Sequence, residues 1–460
     1  MAKKIKSIKC DISAHINTHF REYAIYTLES RGIPSFYDAL TNVQRIILKN
    51  AKLTSEKTLS LLGDSIKAGY RHGDASLNNA ISRITREFNC SENLLEGKGF
   101  WGTPVVPTPA APRYTSVKLK TSVKNNHFTF SHLDEMGNED WLPLHFKIPI
   151  GLTSMTTGIA VGYSTLILPR KIEDMQEFFD GKRKSVKPWF QNFNGTISKY
   201  KDAWLIKGRY KVDTKTKQIH IYDVPHMQKY ETFMHKLHSF AEDEQLKSKI
   251  ENNSAKKIDV TIIYKPDELK KITDYLDKIT KILVKENIVF IKDNSVLKYN
   301  CIEDYLTDYK IRITEINYKE GVYLYDVTTF NLEYEEAKLK FLKYMLVKKR
   351  TRKEVITFIN KFDQKISSKL DAIRLSVLTN ESISECEQKI EELKNTKKKY
   401  NIAKIKLKKI FDTANKKFKI TGKINTTNNA LFESDAPEEI DGIEVFAMEV
   451  DDSDSDDYNN

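Results

Sequence analysis

The sequence predicts an α+β chain of several domains, and three observations carry that prediction. Apolar residues recur at helical spacing in three closely set stretches between Ile33 and Phe88. Strand-like and helix-like segments alternate from about residue 170 to 330. From Glu335 to Lys417 an apolar pattern stepping by three and four runs through a densely charged tract. At 460 residues the chain is too long for one ordinary core and fits roughly two to four domains.

Taken in order, residues 1–30 read as a mixed N-terminal arm. Val43, Ile46, Ile47 and Ala51 form the first helical stripe, Leu59, Leu62 and Ile66 the second, and Leu77, Ala80, Ile81, Ile84 and Phe88 the third. Gly69 is placed as the stop of the second helix and Asp74 as the N-cap of the third. Three short helices this close predict a helix-turn-helix or winged-helix unit within residues 31–150. Glycines from Gly97 to Gly102 and prolines at 104, 107, 109 and 112 then impose a long irregular loop, and loops of that length in a compact domain are usually functional.

Residues 151–334 read as an α/β domain. Ala203–Lys211 and Gln218–Val224, separated by a polar turn, predict a β-hairpin, with further strands near Asp259–Tyr264, Ile288–Ile291 and Tyr323–Val327 and a helix over Leu269–Ile282. Residues 335–420 predict a long antiparallel coiled coil: Val355 to Ile373 forms one strip, Ile383 to Ala414 the other, and the chain turns around Arg374–Glu381. Residues 421–460 are expected to be a disordered acidic C-terminal tail, because like charges repel and little there can be buried.

Composition narrows the function classes. With 40% hydrophobic and 30% charged residues the profile is globular, no run approaches a membrane span, and the start lacks a signal-peptide core, so a cytoplasmic protein without membrane partners is expected. Cys10, Cys90, Cys301 and Cys386 are scattered without metal-ligand spacing and read as reduced structural residues. The net charge of +12 conceals an asymmetry: residues 424–460 hold twelve acidic and no basic side chains, leaving +24 for the rest. A surplus of that size favours a polyanion, of which nucleic acid is the usual one.

The chemistry-bearing segments are Tyr70-Arg-His-Gly-Asp74, Gly97-Lys-Gly-Phe-Trp-Gly102, Arg113-Tyr114-Thr115 and Gly158-Ile-Ala-Val-Gly162, preceded by Arg31-Gly-Ile-Pro34 and Ala39-Leu-Thr-Asn-Val-Gln-Arg45. In that order and spacing they resemble the A-type subunits of type IIA DNA topoisomerases, over roughly residues 20–420. The resemblance implies a winged-helix cleavage domain, an α/β tower, a coiled coil ending in a dimerisation gate, and a transient double-strand break made through a 5′-phosphotyrosine link.

The residues explain why such a site would work. A phenol has a pKa of about 10 and needs cationic neighbours to act as a nucleophile at neutral pH. Arg113 precedes Tyr114 directly, and the resemblance carries over Arg31 and His72 as further groups that bear charge or handle protons. It also places Arg45, Lys49 and Lys118 on the DNA backbone and makes Ile159 a wedge between base pairs. Blander roles stand beside these: an ordinary half-buried tyrosine, a structural histidine, an arginine capping a helix, a solvated lysine and a core isoleucine. Departures from the family pattern are Phe100-Trp101 in the glycine loop and Thr41 and Gln44 where the family carries Lys and His; the positions tied to quinolone sensitivity fall on Ala75 and Asn79.

No phosphate-binding glycine loop and no acidic Mg²⁺ cluster is present in the sequence, so Mg²⁺ and ATP are both expected on a partner subunit that carries the ATPase and metal domains. The other expected partners are double-stranded DNA and a second copy of the chain. Two rival readings are a noncatalytic DNA-bending architectural protein and a tyrosine nuclease or recombinase acting on single strands.

Overall fold

The computed structural model describes residues 19–126, 146–293, 295–348, 350–373 and 380–417, together with the short strands Lys423–Ile424, Glu439–Ile440 and Ile443–Glu444. Among them, one compact unit is built mainly from residues up to Tyr309 and a second from Lys310 onward through the helical tract.

The first unit begins with helix α1 (Arg21–Thr27), which runs into a wider turn at Leu28–Gly32. Helix α2 (Asn42–Asn50) starts at Thr41, where Thr41 and Gln44 cap it reciprocally; the Gln44 side chain accepts from the Thr41 amide at 3.0 Å. Thr41 and Gln44, two of the residues that depart from the family pattern, therefore have a local structural task. Strand β1 (Glu56–Lys57), helices α3 (Thr58–Lys67) and α4 (Asp74–Thr85), and strands β2 (Leu95–Lys98) and β3 (Ser116–Leu119) follow. The strands pair antiparallel in the order β1-β3-β2, giving three helices on a small sheet with a long loop between its last two strands, which is a winged-helix topology. Ile47, Leu61, Leu77, Ile81 and Ile84 meet in one core.

Two sequence expectations change here. Helix α3 buries Thr58, Leu61, Leu62 and Ser65, while Leu59 (59%) and Ile66 (41%) are exposed. The predicted face and the observed one lie one residue apart on the helix, and only packing against α2 and α4 selects between them. Asp74 is the first residue of α4, with Gly73 at the cap; Gly69, at φ +108°, follows the end of α3 as expected.

Beyond this cluster every ladder between named strands is antiparallel. Strands β4 (Thr156–Ala160) and β5 (Tyr163–Ile167) form a hairpin, and helix α5 (Ile172–Phe179) follows. Strands β6 (Thr196–Tyr200) and β7 (Ala203–Lys207) form another; β8 (Arg209–Asp213) pairs with β9 (Gln218–Asp223). The single hairpin predicted from 203 to 224 is thus two strands of different sheets on its first side. The chain switches at Gly208, where a Cβ would lie 2.3 Å from the Asp223 carbonyl oxygen. Helices α6 (Tyr230–Asp243) and α7 (Leu269–Ile279) and strands β10 (Lys249–Asn252) and β11 (Val260–Ile263) complete a four-stranded sheet of order β10-β11-β9-β8. Strand β12 (Lys281–Val284), predicted as the end of a helix, joins β7; β13 (Ile288–Lys292) pairs with β14 (Ser295–Tyr299).

Helix α8 (Ile302–Val347) absorbs Tyr323–Val327, which the sequence predicts as a strand. A five-residue segment, largely aromatic and aliphatic around Asp326, is too short for its period to distinguish the two, and the surrounding 46-residue helix decides it. In the second unit, α8 is followed by two short helices, α9 (Arg352–Ile359) and α10 (Gln364–Asp371), and then by α11 (Asn380–Lys417), which returns alongside α8. Tyr318 stacks on Phe411 and Lys343 pairs with Glu387, fixing the antiparallel sense. The Val355–Ile373 stripe therefore belongs to two short helices packed on Ala337 and Phe341, and α8 supplies the outgoing arm of the hairpin. Residues 374–379 and most of the acidic tail lie outside the described residues; of the tail, Lys423–Ile424 (β15) pairs with β14.

Candidate functional site

Tyr114 ends the long loop that the glycines and prolines impose, immediately before β3, the central strand of the small sheet. Its ring is 72% exposed, the most exposed aromatic side chain among the large exposed hydrophobics of the described residues, and Arg113 beside it is exposed as well. The backbone beneath is fastened. Tyr114 N–H donates to Ala111 O at 2.9 Å; the next residue, Thr115, is buried, shares a 2.7 Å hydroxyl contact with Thr58 and accepts from the Thr58 amide at 3.2 Å. The phenol thus stands out from a rigid joint between β3 and the start of α3.

The rest of the loop is pinned too. Trp101 is buried in the core of the cluster, and Gly97 leaves the space its indole fills, since a Cβ there would lie 2.3 Å from the indole nitrogen. Ala110 N–H donates to Phe100 O at 3.0 Å, Thr103 Oγ1 to Ala255 O at 3.2 Å, and Val105 packs on the core beneath the four-stranded sheet.

A second grouping brings together two glycine motifs far apart in sequence. Gly32 and Gly158 touch backbone to backbone: a Cβ on Gly158 would lie 1.7 Å from Gly32 O, and one on Gly32 would lie 2.7 Å from Ile159 O. Ile33 and Ala160 share a core with Val289 and Val296, and Ile291 N–H donates to Pro34 O at 2.9 Å. The Arg31-Gly-Ile-Pro34 segment therefore holds the β4–β5 hairpin whose strand carries Ile159 near the turn, half exposed at 50%. The Arg31 backbone lies in the turn Leu28–Gly32; its side chain is outside what is described.

The remaining expected residues divide. His72 lies just before α4, partly buried, its ring edge-on to Tyr70 at 5.4 Å. Lys49 is exposed in the last turn of α2. Lys118, on β3, faces Glu96 across the sheet at 3.0 Å, a surface pair weak enough to exchange for a phosphate. Arg45 is the correction. It is 4% exposed, its Nε donates to Asp38 at 2.8 Å and its Nη2 to Asp38 at 3.1 Å and to Leu40 O at 3.2 Å. A guanidinium satisfied in this way by a buried carboxylate and a carbonyl joins the start of α2 to the preceding turn and is not presented to a phosphate. Sequence reasoning misses Thr58 and Gly158 as supports; glycine inside a strand pattern is a signal of close backbone approach, whereas nothing local marks Thr58.

Burial pushes the Cys90 thiol up to about 12, in keeping with a structural cysteine; Cys301 and Cys386 are also unpaired. Among the described residues no group of three His, Cys, Asp or Glu side chains could hold a metal ion. No described helix is long and apolar enough to cross a membrane.

A surface tyrosine beside an arginine on a winged-helix cluster fits the chemistry of a DNA-handling chain, and comparison with known proteins makes the class specific. Residues 31–419 match the family of DNA gyrase/topoisomerase IV A-subunits, and the chain belongs to that family. It is 29% identical over 243 residues to the DNA topoisomerase medium subunit of Enterobacteria phage T4, covering 49% of this chain and 54% of that protein. It is likewise 29% identical over 196 residues to the DNA topoisomerase 4 A-subunit of Escherichia coli K12, covering 38% of this chain and 25% of the relative. The matches thus span about half the length of the phage relative and a quarter of the bacterial one. The fold is similar to the topoisomerase II DNA-binding, cleavage and re-ligation domain of Plasmodium falciparum, with a TM-score of 0.72 at 19% identity over 87% of this chain and 64% of that one.

Proposed function

We propose that this chain is the DNA breakage-reunion subunit of an ATP-dependent type II DNA topoisomerase. The Tyr114 Oη attacks a backbone phosphorus, a phosphotyrosine bond forms at the 5′ end, and the 3′-oxygen leaves with the proton the phenol has given up. One phosphoester is exchanged for another, so the freed 3′-hydroxyl can reverse the step without an energy source. The observation that carries this reading is Tyr114 itself: an exposed phenol on a backbone fixed by Thr115 and Thr58.

Arg113 stabilises charge on the phosphorus, with Arg31 and His72 as the further cationic or proton-handling groups. Lys49 and Lys118 hold the DNA backbone, and Ile159 wedges between base pairs from the braced hairpin. Residues 31–150 form the cleavage domain, and the tower begins at 151 and ends where α8 leaves it, earlier than the boundary at 334 expected from the sequence. The coiled coil, with α8 as outgoing arm and α11 as return arm, pairs two copies at its tip, and residues 421–460 form an acidic tail. Mg²⁺ and ATP are supplied by a partner subunit in the host cytoplasm, and a second duplex passes through the break, giving relaxation or decatenation.

Tyr114→Phe tests the reading, assayed with the partner subunit, Mg²⁺ and supercoiled DNA. The expected result is loss of relaxation and of covalent protein–DNA complex with DNA affinity retained. Relaxation at the unsubstituted rate would reject Tyr114 as nucleophile, and DNA bending without any trapped complex in either protein would favour the architectural reading.

A further inference from the structure

Outside the tyrosine site, the first unit holds an open cleft of about 260 Å³ whose lining mixes cations with aromatic rings. Lys171 stands at the start of α5, Arg183 and Lys187 come from the loop after that helix, and Trp189 and Phe193 supply ring carbon. The loop is itself basic, reading Lys182-Arg-Lys-Ser-Val-Lys187. A short lysine- and arginine-rich run of this kind is suited to a polyanion, and here it borders a cavity rather than a flat surface.

The frame of the cleft is fastened. Trp189 N–H donates to Pro169 O at 3.0 Å, and the buried Arg170 guanidinium bonds Val186 O at 2.9 Å and Glu286 at 2.7 Å. Gly195 leaves room for Phe193, since a Cβ there would lie 2.3 Å from the tip of that ring, and Phe193 stands edge-on to the buried Phe190 at 6.3 Å. The cations differ in how far they are compensated. Arg183 is tied to α5 through Asp174 at 3.1 Å and Glu177 at 2.9 Å. Lys171 and Lys187 have no ion pair among the described residues; the Lys171 ammonium rests 4.1 Å over the Trp189 ring, and Lys187 is exposed.

We propose that this cleft binds a nucleotide whose base is unpaired, with the phosphate held by Lys171 and Lys187 and the base lying against Trp189 and Phe193. A bare phosphate would engage the two ammonium groups and leave the aromatic surface in water, whereas an apolar ligand would leave the ammonium groups without a counter-charge; a nucleotide satisfies both. The bases of an intact duplex are stacked on one another and offer no free face, so the same chemistry comes from a single-stranded segment of DNA or from a free nucleotide. The volume lies just below the ~300–1,000 Å³ of ordinary small-molecule pockets, which limits the cleft to one nucleotide. The cleft does not involve Tyr114 and stands whether or not the chain cleaves DNA.

The test uses the full chain and three probes: a short thymidine oligonucleotide, an abasic strand of equal length and charge, and dTMP. The unsubstituted protein is expected to bind the thymidine strand about tenfold more tightly than the abasic one, and Trp189→Leu to erase that preference. Lys171→Met combined with Lys187→Ala should weaken both strands and lower the log–log salt slope by about 0.7, the share of the single phosphate they hold. The nucleotide alone separates the two sources. If a free nucleotide fills the cleft, dTMP raises the thermal unfolding midpoint saturably in the unsubstituted protein and not in Trp189→Leu; if a strand segment fills it, dTMP has no effect while the strand preference stands. Should Trp189→Leu fail to fold, the double lysine variant carries the comparison. Equal affinity of the unsubstituted protein for the two strands overturns the proposal, and so do a preference and a slope that these substitutions leave unchanged.

Discussion

The helix cluster around Tyr114 and the helical hairpin that begins at Lys310 place charge in opposite ways. In the cluster, a continuous apolar core surrounds one buried ion pair, Arg45 with Asp38, while Arg113, Tyr114 and Lys49 stand at the surface. In the hairpin, apolar packing is split into small groups, Leu332 with Cys386 and Ile390 in one and Phe341 with Val355 and Leu370 in another. Between the arms sits Glu335, nearly buried, bonded to Lys389, paired with Lys338 and accepting from the Cys386 thiol at 3.3 Å. The difference teaches that basic residues mean different things by location: in the cluster the buried arginine is structural and other cations stand at the surface, whereas in the hairpin lysines close a polar seam.

Three experiments press on that contrast. The largest effect is expected for Arg45→Ala, which takes the guanidinium away from the buried Asp38 carboxylate and costs about 3–5 kcal/mol in chemical denaturation. An Arg45 that contacted phosphate instead would show little loss of stability and a DNA-binding salt slope reduced by about one. Next comes Leu77→Ala in the cluster core, at about 2–5 kcal/mol, against Leu393→Ala on the partly buried face of the hairpin, at about 1–2 kcal/mol. Equal losses would mean the two regions are packed alike.

The smallest effect concerns pH. Burial alone would raise the Glu335 carboxyl, but hydrogen bonds from Lys389 and Cys386 outweigh it and hold the group below its usual value of 4.5. A carboxylate depressed in the folded state adds stability that is fully present above its unfolded pKa and is lost as pH falls through the folded one. The hairpin helices should therefore melt at a constant temperature from pH 7 to about 5 and progressively lower in the more acid range, and Glu335→Gln should flatten that fall. A parallel acid dependence in Glu335→Gln and the unsubstituted chain would remove Glu335 from the seam. Cys386, pushed up to about 11 by burial and then by Glu335, stays protonated and remains a donor throughout.

By itself the sequence determined the features that depend on local chemistry. The three helices of the cluster, the irregular loop before Arg113-Tyr114, the helix stop at Gly69 and a long charged hairpin follow from periodicity, proline and glycine, and short-range signals of this kind survive folding because the backbone enforces them. Tertiary structure alone decided whatever required choosing between neighbouring options. Packing selected Leu61 over Leu59 on α3, Gly208 sent β7 and β8 into different sheets, and a long helix took in Tyr323–Val327. The fate of each charged side chain was settled the same way. Nothing near Arg45 in the chain announces that it is spent on Asp38, and nothing near Gly32 announces that it meets Gly158, because burial and close approach are set by partners that only the folded chain brings within reach.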